Sequence, residues 1–116
     1  ESLKNYKITD NILKNNILIK KMISFIIIKY NQRHLYKEAI NNLNYVIQKD
    51  IEDNSNLKLL AEAYFLNNEK SMSYFTLAKY YANLDDIEKS KKYLKMAKEE
   101  TNDISLLKKI NDFEIK

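Results

Sequence analysis

Not one of the 116 residues is glycine, and the chain has no proline or cysteine either. Glycine carries a chain through positive φ without steric cost and dominates tight primed hairpins. With only Asn and Asp left for such turns, a β-rich fold is disfavoured, whereas helices joined by Asn/Asp turns suit this composition. A P-loop, a Rossmann loop or a nucleophile elbow is excluded for the same reason, because each needs Gly where the backbone approaches a ligand or turns sharply. Without Cys there is no thiol nucleophile, zinc ribbon or disulfide, and the redox compartment stays open. The length suits one all-α domain over 1–116.

Apolar periodicity predicts six helices. Thr9 and Asp10 can cap a first helix that opens at Asn11 and runs toward Tyr30, with residues 1–7 frayed. Its run from Ile23 to Ile28 is apolar almost all round, which predicts a central place in the packing. A polar loop over 31–34 leads to a second helix over 35–49, with Ala39, Ile40, Leu43, Val46 and Ile47 on one face. The polar break at 53–56 supplies capping residues for a third helix over 55–66. A fourth spans 71–83, a fifth follows Asp86, and a sixth, capped by Asp103, carries Ile104, Leu106, Leu107, Ile110 and Phe113.

Two of these hairpins share a pattern. Tyr74, Leu77, Ala78 and Tyr81 fall on one helical face, and Ser90, Leu94 and Ala97 on the face of the next helix. Ile23, Ile26, Ile27 and Tyr30, followed by Ala39, Leu43 and Val46, repeat that arrangement, with nine residues from Tyr30 to Ala39 as from Tyr81 to Ser90. This pattern resembles the tetratricopeptide (TPR) repeat, with Ala78 where Gly is usual and Asn102, able to close a helix in a left-handed conformation, where Pro is usual. The resemblance implies an antiparallel helix-turn-helix array with TPR-like hairpins at about 20–53 and 70–103. An extra helix at about 55–67 and a capping helix at about 103–114 complete it. Leu57, Leu60, Ala61 and Tyr64 fit the same signature thirty-four residues after the first set. Two registers therefore compete for the middle of the chain, and the choice of binding face stays open between them.

By the same resemblance, the chain is expected to be a non-catalytic scaffold that binds a protein through a groove of outward residues on the first helix of each hairpin. Met72, Phe75, Lys79 and Asn83 take those places in one hairpin, and Lys21, Ser24, Ile28 and Gln32 in the other. Ser24, Ile28, Met72, Phe75, Lys79 and Asn83 are the candidate partner-binding residues. The Lys, Asn and Arg set that clamps a terminal carboxylate in some TPR proteins is not recognisable, and the partner's identity is not specified.

The residues offer little chemistry beside this. His34 is the only histidine and falls in a loop. Ser55, Ser71 and Ser105 sit at helix starts, where capping accounts for them. Adjacent acids such as Asp85 and Asp86 do not face one another, and they suit the N-terminus of the following helix better than a metal or a paired-carboxylate site. No catalytic residue, cofactor or metal is expected. The net charge of +4 rests on lysine, with Arg33 the only arginine. Abundant Lys, Asn, Ile and Tyr match an AT-rich bacterial genome. The stripe Lys89, Lys91, Lys92, Lys95 and Lys98 supports an alternative, nucleic-acid-binding or regulatory reading, disfavoured for want of interleaved exposed aromatics or Arg. Tyr36, Tyr45, Tyr80 and Tyr93 fall outside the core pattern and suit either packing or an interface. No run reaches the roughly 18–20 apolar residues of a membrane span. The first residue is Glu1, so a longer chain is expected, whose upstream part could carry an anchor. Cytoplasm and envelope both remain open.

Overall fold

The computed structural model describes residues 17–51 and 53–115. It is an all-α array of six helices: α1 (Ile17–Lys29), α2 (Tyr36–Lys49), α3 (Ser55–Leu66), α4 (Lys70–Asn83), α5 (Ile87–Glu99) and α6 (Ile104–Ile115). A short 3-10 turn, Arg33–Leu35, precedes α2. The expected cap at Thr9 and Asp10, the helix start at Asn11 and the frayed 1–7 lie outside the described residues.

Asn and Asp take the turns that glycine would otherwise make. Asn31, Asn68 and Asp85 have φ of 52°, 63° and 60°, the left-handed region. Each closes a helix by a six-residue hydrogen bond: the Gln32 N–H to Ile27, the Glu69 N–H to Tyr64, and the Asp86 N–H to Tyr81. This is the geometry in which a left-handed residue satisfies otherwise orphaned helix carbonyls. Asn102, expected to close its helix in this way, does not adopt positive φ. The Asp86 carboxylate then caps α5 by accepting from the Lys89 N–H at 3.1 Å, and Asp103 caps α6 by accepting from Ser105 and Leu106.

Each helix packs on its neighbours in sequence, and α1 also reaches α3. One core cluster joins Ile28, Ile40, Leu43, Leu60 and Tyr64 across α1, α2 and α3. Ile23, Ile27, Tyr36 and Ala39 form a second between α1 and α2. The third joins Phe75, Ala78, Leu94, Ala97 and Ile110 across α4, α5 and α6. Burying each large aliphatic side chain stabilises the fold by about 1.5–3 kcal/mol.

Serine hydroxyls fix how closely the helices approach. Ser24 donates to the Ala39 carbonyl, Ser73 to Ala61, Ser90 to Ala78 and Ser71 to Ala97. A small residue on each side lets the backbones come near enough for a hydroxyl to reach a neighbouring helix. Ser71 therefore joins α4 to α5 and does not serve as a helix cap. The Ala61–Ser73 and Ala78–Ser90 pairs each span twelve residues and recur after seventeen, so α4 is the second helix of one hairpin and the first of the next.

Two further placements differ from expectation. Tyr30, expected in the core, is 62% exposed, because α1 ends at Lys29 and the chain turns away at Asn31. Helix α1, expected to be central, leaves Leu18 and Phe25 exposed, since among the described residues it packs mainly on α2 and one edge of α3.

Candidate functional site

Among the described residues, the helix order places α1, α3 and α5 on one side of the array and α2, α4 and α6 on the other, with an open cleft on each side. This layering splits the six residues expected to share a groove. Ser24 and Ile28 come from α1, whereas Met72, Phe75, Lys79 and Asn83 come from α4 in the opposite layer.

Three of the six are consumed by packing. Ser24 is buried, with its hydroxyl on the Lys20 and Ala39 carbonyls. Ile28 is buried among Ile40, Leu43 and Leu60. Phe75 is only 4% exposed, because α6 covers it and sets Phe113 edge-on at 5.8 Å between ring centroids. The repeat pattern cannot register that covering helix, which begins twenty-nine residues further along the chain.

Met72, Lys79 and Asn83 do share a cleft, of about 320 Å³, bordered also by Asn44, Asp50 and Phe113. Hydrogen bonds link its Asn83 to the turn before α3. The Asn83 amide donates to the Asn54 side chain at 2.9 Å, and Asn54 donates to the Tyr80 carbonyl. Lys21, the other expected groove lysine, bonds Asp53 at 2.9 Å. The Asp53 carboxyl is held below its ordinary pKa of 3.8, first by the Ser55 hydroxyl and then by Lys21. Lys79 lies over the Phe75 ring, 4.3 Å from its centroid. Its ammonium is pushed below the ordinary lysine pKa by burial and by repulsion from Lys109.

The second cleft, of about 370 Å³, crosses α3, α4 and α5, and its lining is mostly apolar: Ala61, Phe65, Tyr74, Leu77, Tyr93 and Met96. Lys58 and Glu62 border it from α3. Phe65 is 48% exposed. Tyr74 and Tyr93 begin a chain of aromatic contacts. Tyr93 stacks on Tyr81, with centroids 5.5 Å apart and planes 6° apart, and Tyr81 meets Tyr80 edge-on at 5.1 Å. Three lysines lie over these rings: Lys58 on Tyr80, Lys89 on Tyr81 and Lys92 on Tyr93. Periodicity assigned Tyr74 and Tyr81 to the core and left Tyr80 and Tyr93 outside it; the signal for the cluster was the two-turn spacing of Tyr74 and Tyr81 on α4, with Tyr93 on the adjoining helix.

The lysine stripe of α5 is divided rather than continuous. Lys89 and Lys92 go to the tyrosines, Lys98 pairs with Glu114 of α6, and Lys91 and Lys95 are exposed. His34 is exposed in the 3-10 turn. Among the described residues no group of His, Cys, Asp and Glu is arranged to hold a metal ion, and no helix is long and apolar enough to cross a membrane. No protein-family model, curated protein or solved structure matches the chain.

Proposed function

We propose that this chain is a non-catalytic protein-interaction module, a TPR-like helical array that docks a protein partner in the cleft across α3, α4 and α5. The observation that carries the reading is that cleft itself. It gathers Phe65, Tyr74, Leu77, Tyr93 and Met96 from three helices in an open groove. Aromatic residues and Met are enriched at protein interfaces, where they bring large area with adaptable packing. The nucleic-acid reading has less support, because the basic stripe is broken up by Tyr81, Tyr93 and Glu114.

Photo-crosslinking from single positions tests the reading. A photoreactive phenylalanine at Phe65 should yield one dominant protein adduct in source cells, and the same probe at exposed Asn41 on α2 should not. Equal adducts from both positions, or none from Phe65, would refute it.

A further inference from the structure

We propose that the outer face of the α1–α2 hairpin docks on an anionic lipid bilayer, with Leu18 and Phe25 inserted and Lys29, Arg33 and Lys37 among the headgroups. This surface is separate from the α3–α4–α5 cleft and does not depend on what that cleft binds.

The apolar part is built by the spacing along α1. Leu18, Met22, Phe25 and Lys29 follow one another at four, three and four residues, which aligns them on one side of the helix. Ile23, Ser24, Ile27 and Ile28 take the opposite side and are buried in the packing with α2 and α3. Leu18 and Phe25 are left 63% and 51% exposed, with half-buried Met22 between them. Ile51, Leu84, Ile87 and Ile104 are exposed as well, but they sit at turns and helix starts rather than along a helix face.

Charge supplies the second observation. Residues 17–49 carry Lys20, Lys21, Lys29, Arg33, Lys37 and Lys49 against one carboxylate, Glu38, a net charge of +5, whereas the rest of the chain sums to −1. Even with Lys21 matched by Asp53, four positive charges remain in excess. Ser24 meets Ala39 and Lys20 meets Tyr45, so α1 and α2 run antiparallel. Lys29 at the end of α1, Arg33 in the turn and Lys37 at the start of α2 therefore gather at one end of the hairpin. All three are exposed, and none makes an ion pair among the described residues. Lys29 lies over the Phe25 and Tyr30 rings, 5.9 and 5.7 Å from their centroids, a contact that leaves its ammonium fully charged.

A helix with Leu and Phe on one face, flanking lysines and no acidic residue of its own suits the plane of a bilayer interface. The buried apolar area holds it there, and the cations are drawn to anionic headgroups. Leu18, Met22, Phe25 and Lys29 border neither cleft, so the stripe meets a plane rather than a side chain in a groove. A nucleic-acid strand fits less well. Base stacking needs free aromatic faces, Lys29 already lies over both rings, and Leu18 and Met22 have no counterpart on a polar strand.

The full chain carrying Phe25→Trp tests this, since the parent has no tryptophan. With vesicles of equimolar phosphatidylglycerol and phosphatidylcholine at low salt, its emission should shift to the blue and escape an aqueous quencher. Co-sedimentation measures the affinity, and vesicles of phosphatidylcholine alone should bind far less. Lys29→Gln/Lys37→Gln should weaken binding about thirtyfold, at about fivefold per cation. Leu18→Asp should abolish it. All these positions are exposed, and circular dichroism verifies that each variant is folded. No binding to the anionic vesicles, or equal binding to both compositions, would overturn the proposal. So would binding that survives Leu18→Asp without a blue shift, because charge alone would then hold the chain. Binding of an oligo-dT strand tighter than that of the vesicles, and lost in Lys29→Gln/Lys37→Gln, would assign the hairpin to nucleic acid instead.

Discussion

The Ser90 hydroxyl donates to the Ala78 carbonyl at 2.9 Å, and twelve residues of chain separate them. Ser73 does the same to Ala61 at 2.7 Å. Both serines are buried, so each hydroxyl depends on that one carbonyl for its hydrogen bond. Losing one such bond costs about 1 kcal/mol. Ser73→Ala and Ser90→Ala should each lower stability in urea denaturation by about that amount. Ser90→Val should cost about 2–3 kcal/mol, because it also forces added methyls between two closely packed helices. Equal losses for Ala and Val would show that this contact is not tight.

These pairs explain why the sequence left the register undecided. Ala61 with Ser73 and Ala78 with Ser90 present the same small residues at the same separation, so each satisfies the hairpin pattern on its own. Periodicity is a local property, and it located α2 to α6 closely because Asn, Asp and Ser mark their ends. Coverage by a distant helix is not local. Phe75 is apolar on what reads as an outward face, and only α6, through Phe113, makes that face interior. Met72, Lys79 and Asn83 line a cleft, whereas Ser24 and Ile28 are buried in the packing of α1.

The left-handed turn at Asp85 gives a stabilising substitution. Non-glycine residues pay about 1–2 kcal/mol for this conformation, and Asp less than most because its short side chain can bond locally. Asp85→Gly should therefore stabilise the chain by up to about 1 kcal/mol and raise the thermal midpoint by a few degrees. Asp85→Val, with a branched β-carbon, should lower it. A lower midpoint for the glycine variant would mean that the Asp85 side chain contributes more than its backbone strain costs.

Asn56 stands seventeen residues before Ser73 and takes the corresponding place on α3. It is 1% exposed, yet neither polar atom of its side chain has a hydrogen-bond partner in the chain. A buried amide left in that condition costs about 1–3 kcal/mol. Asn56→Leu, similar in shape, should raise stability by about 1 kcal/mol or more. A loss of stability instead would show that the amide is satisfied in solution, with ordered water as the natural partner.

Phe75 and Asn83 were candidates for the same binding surface, and stability separates them. Phe75→Ala removes a buried ring from the α4–α5–α6 core and should cost about 3–5 kcal/mol. Asn83→Ala removes one exposed amide bond to Asn54 and should cost no more than about 1 kcal/mol. Similar losses from the two variants would contradict the burial of Phe75 beneath α6.

Acid should loosen the turn between α2 and α3 through Asp53. Its folded pKa lies below the ordinary 3.8, held down by Ser55 and Lys21. A carboxyl depressed on folding contributes stability that is present above its unfolded pKa and lost as pH falls through the folded value. Stability should therefore drop as pH falls below about 3.8. In Asp53→Asn that part of the decline should disappear, because the group no longer titrates. Lys21→Met keeps the carboxylate and its Ser55 bond, so it should shrink the acid dependence without abolishing it. The bridge is half-exposed, so at neutral pH it adds less than about 1 kcal/mol, and moderate salt should diminish it further. The measurement is the urea midpoint of the parent chain and both variants between pH 2 and pH 6, a range spanning the acid arm of the carboxylate titration. Identical pH profiles for the parent and Asp53→Asn would show that Asp53 has the same pKa in the folded and unfolded chains.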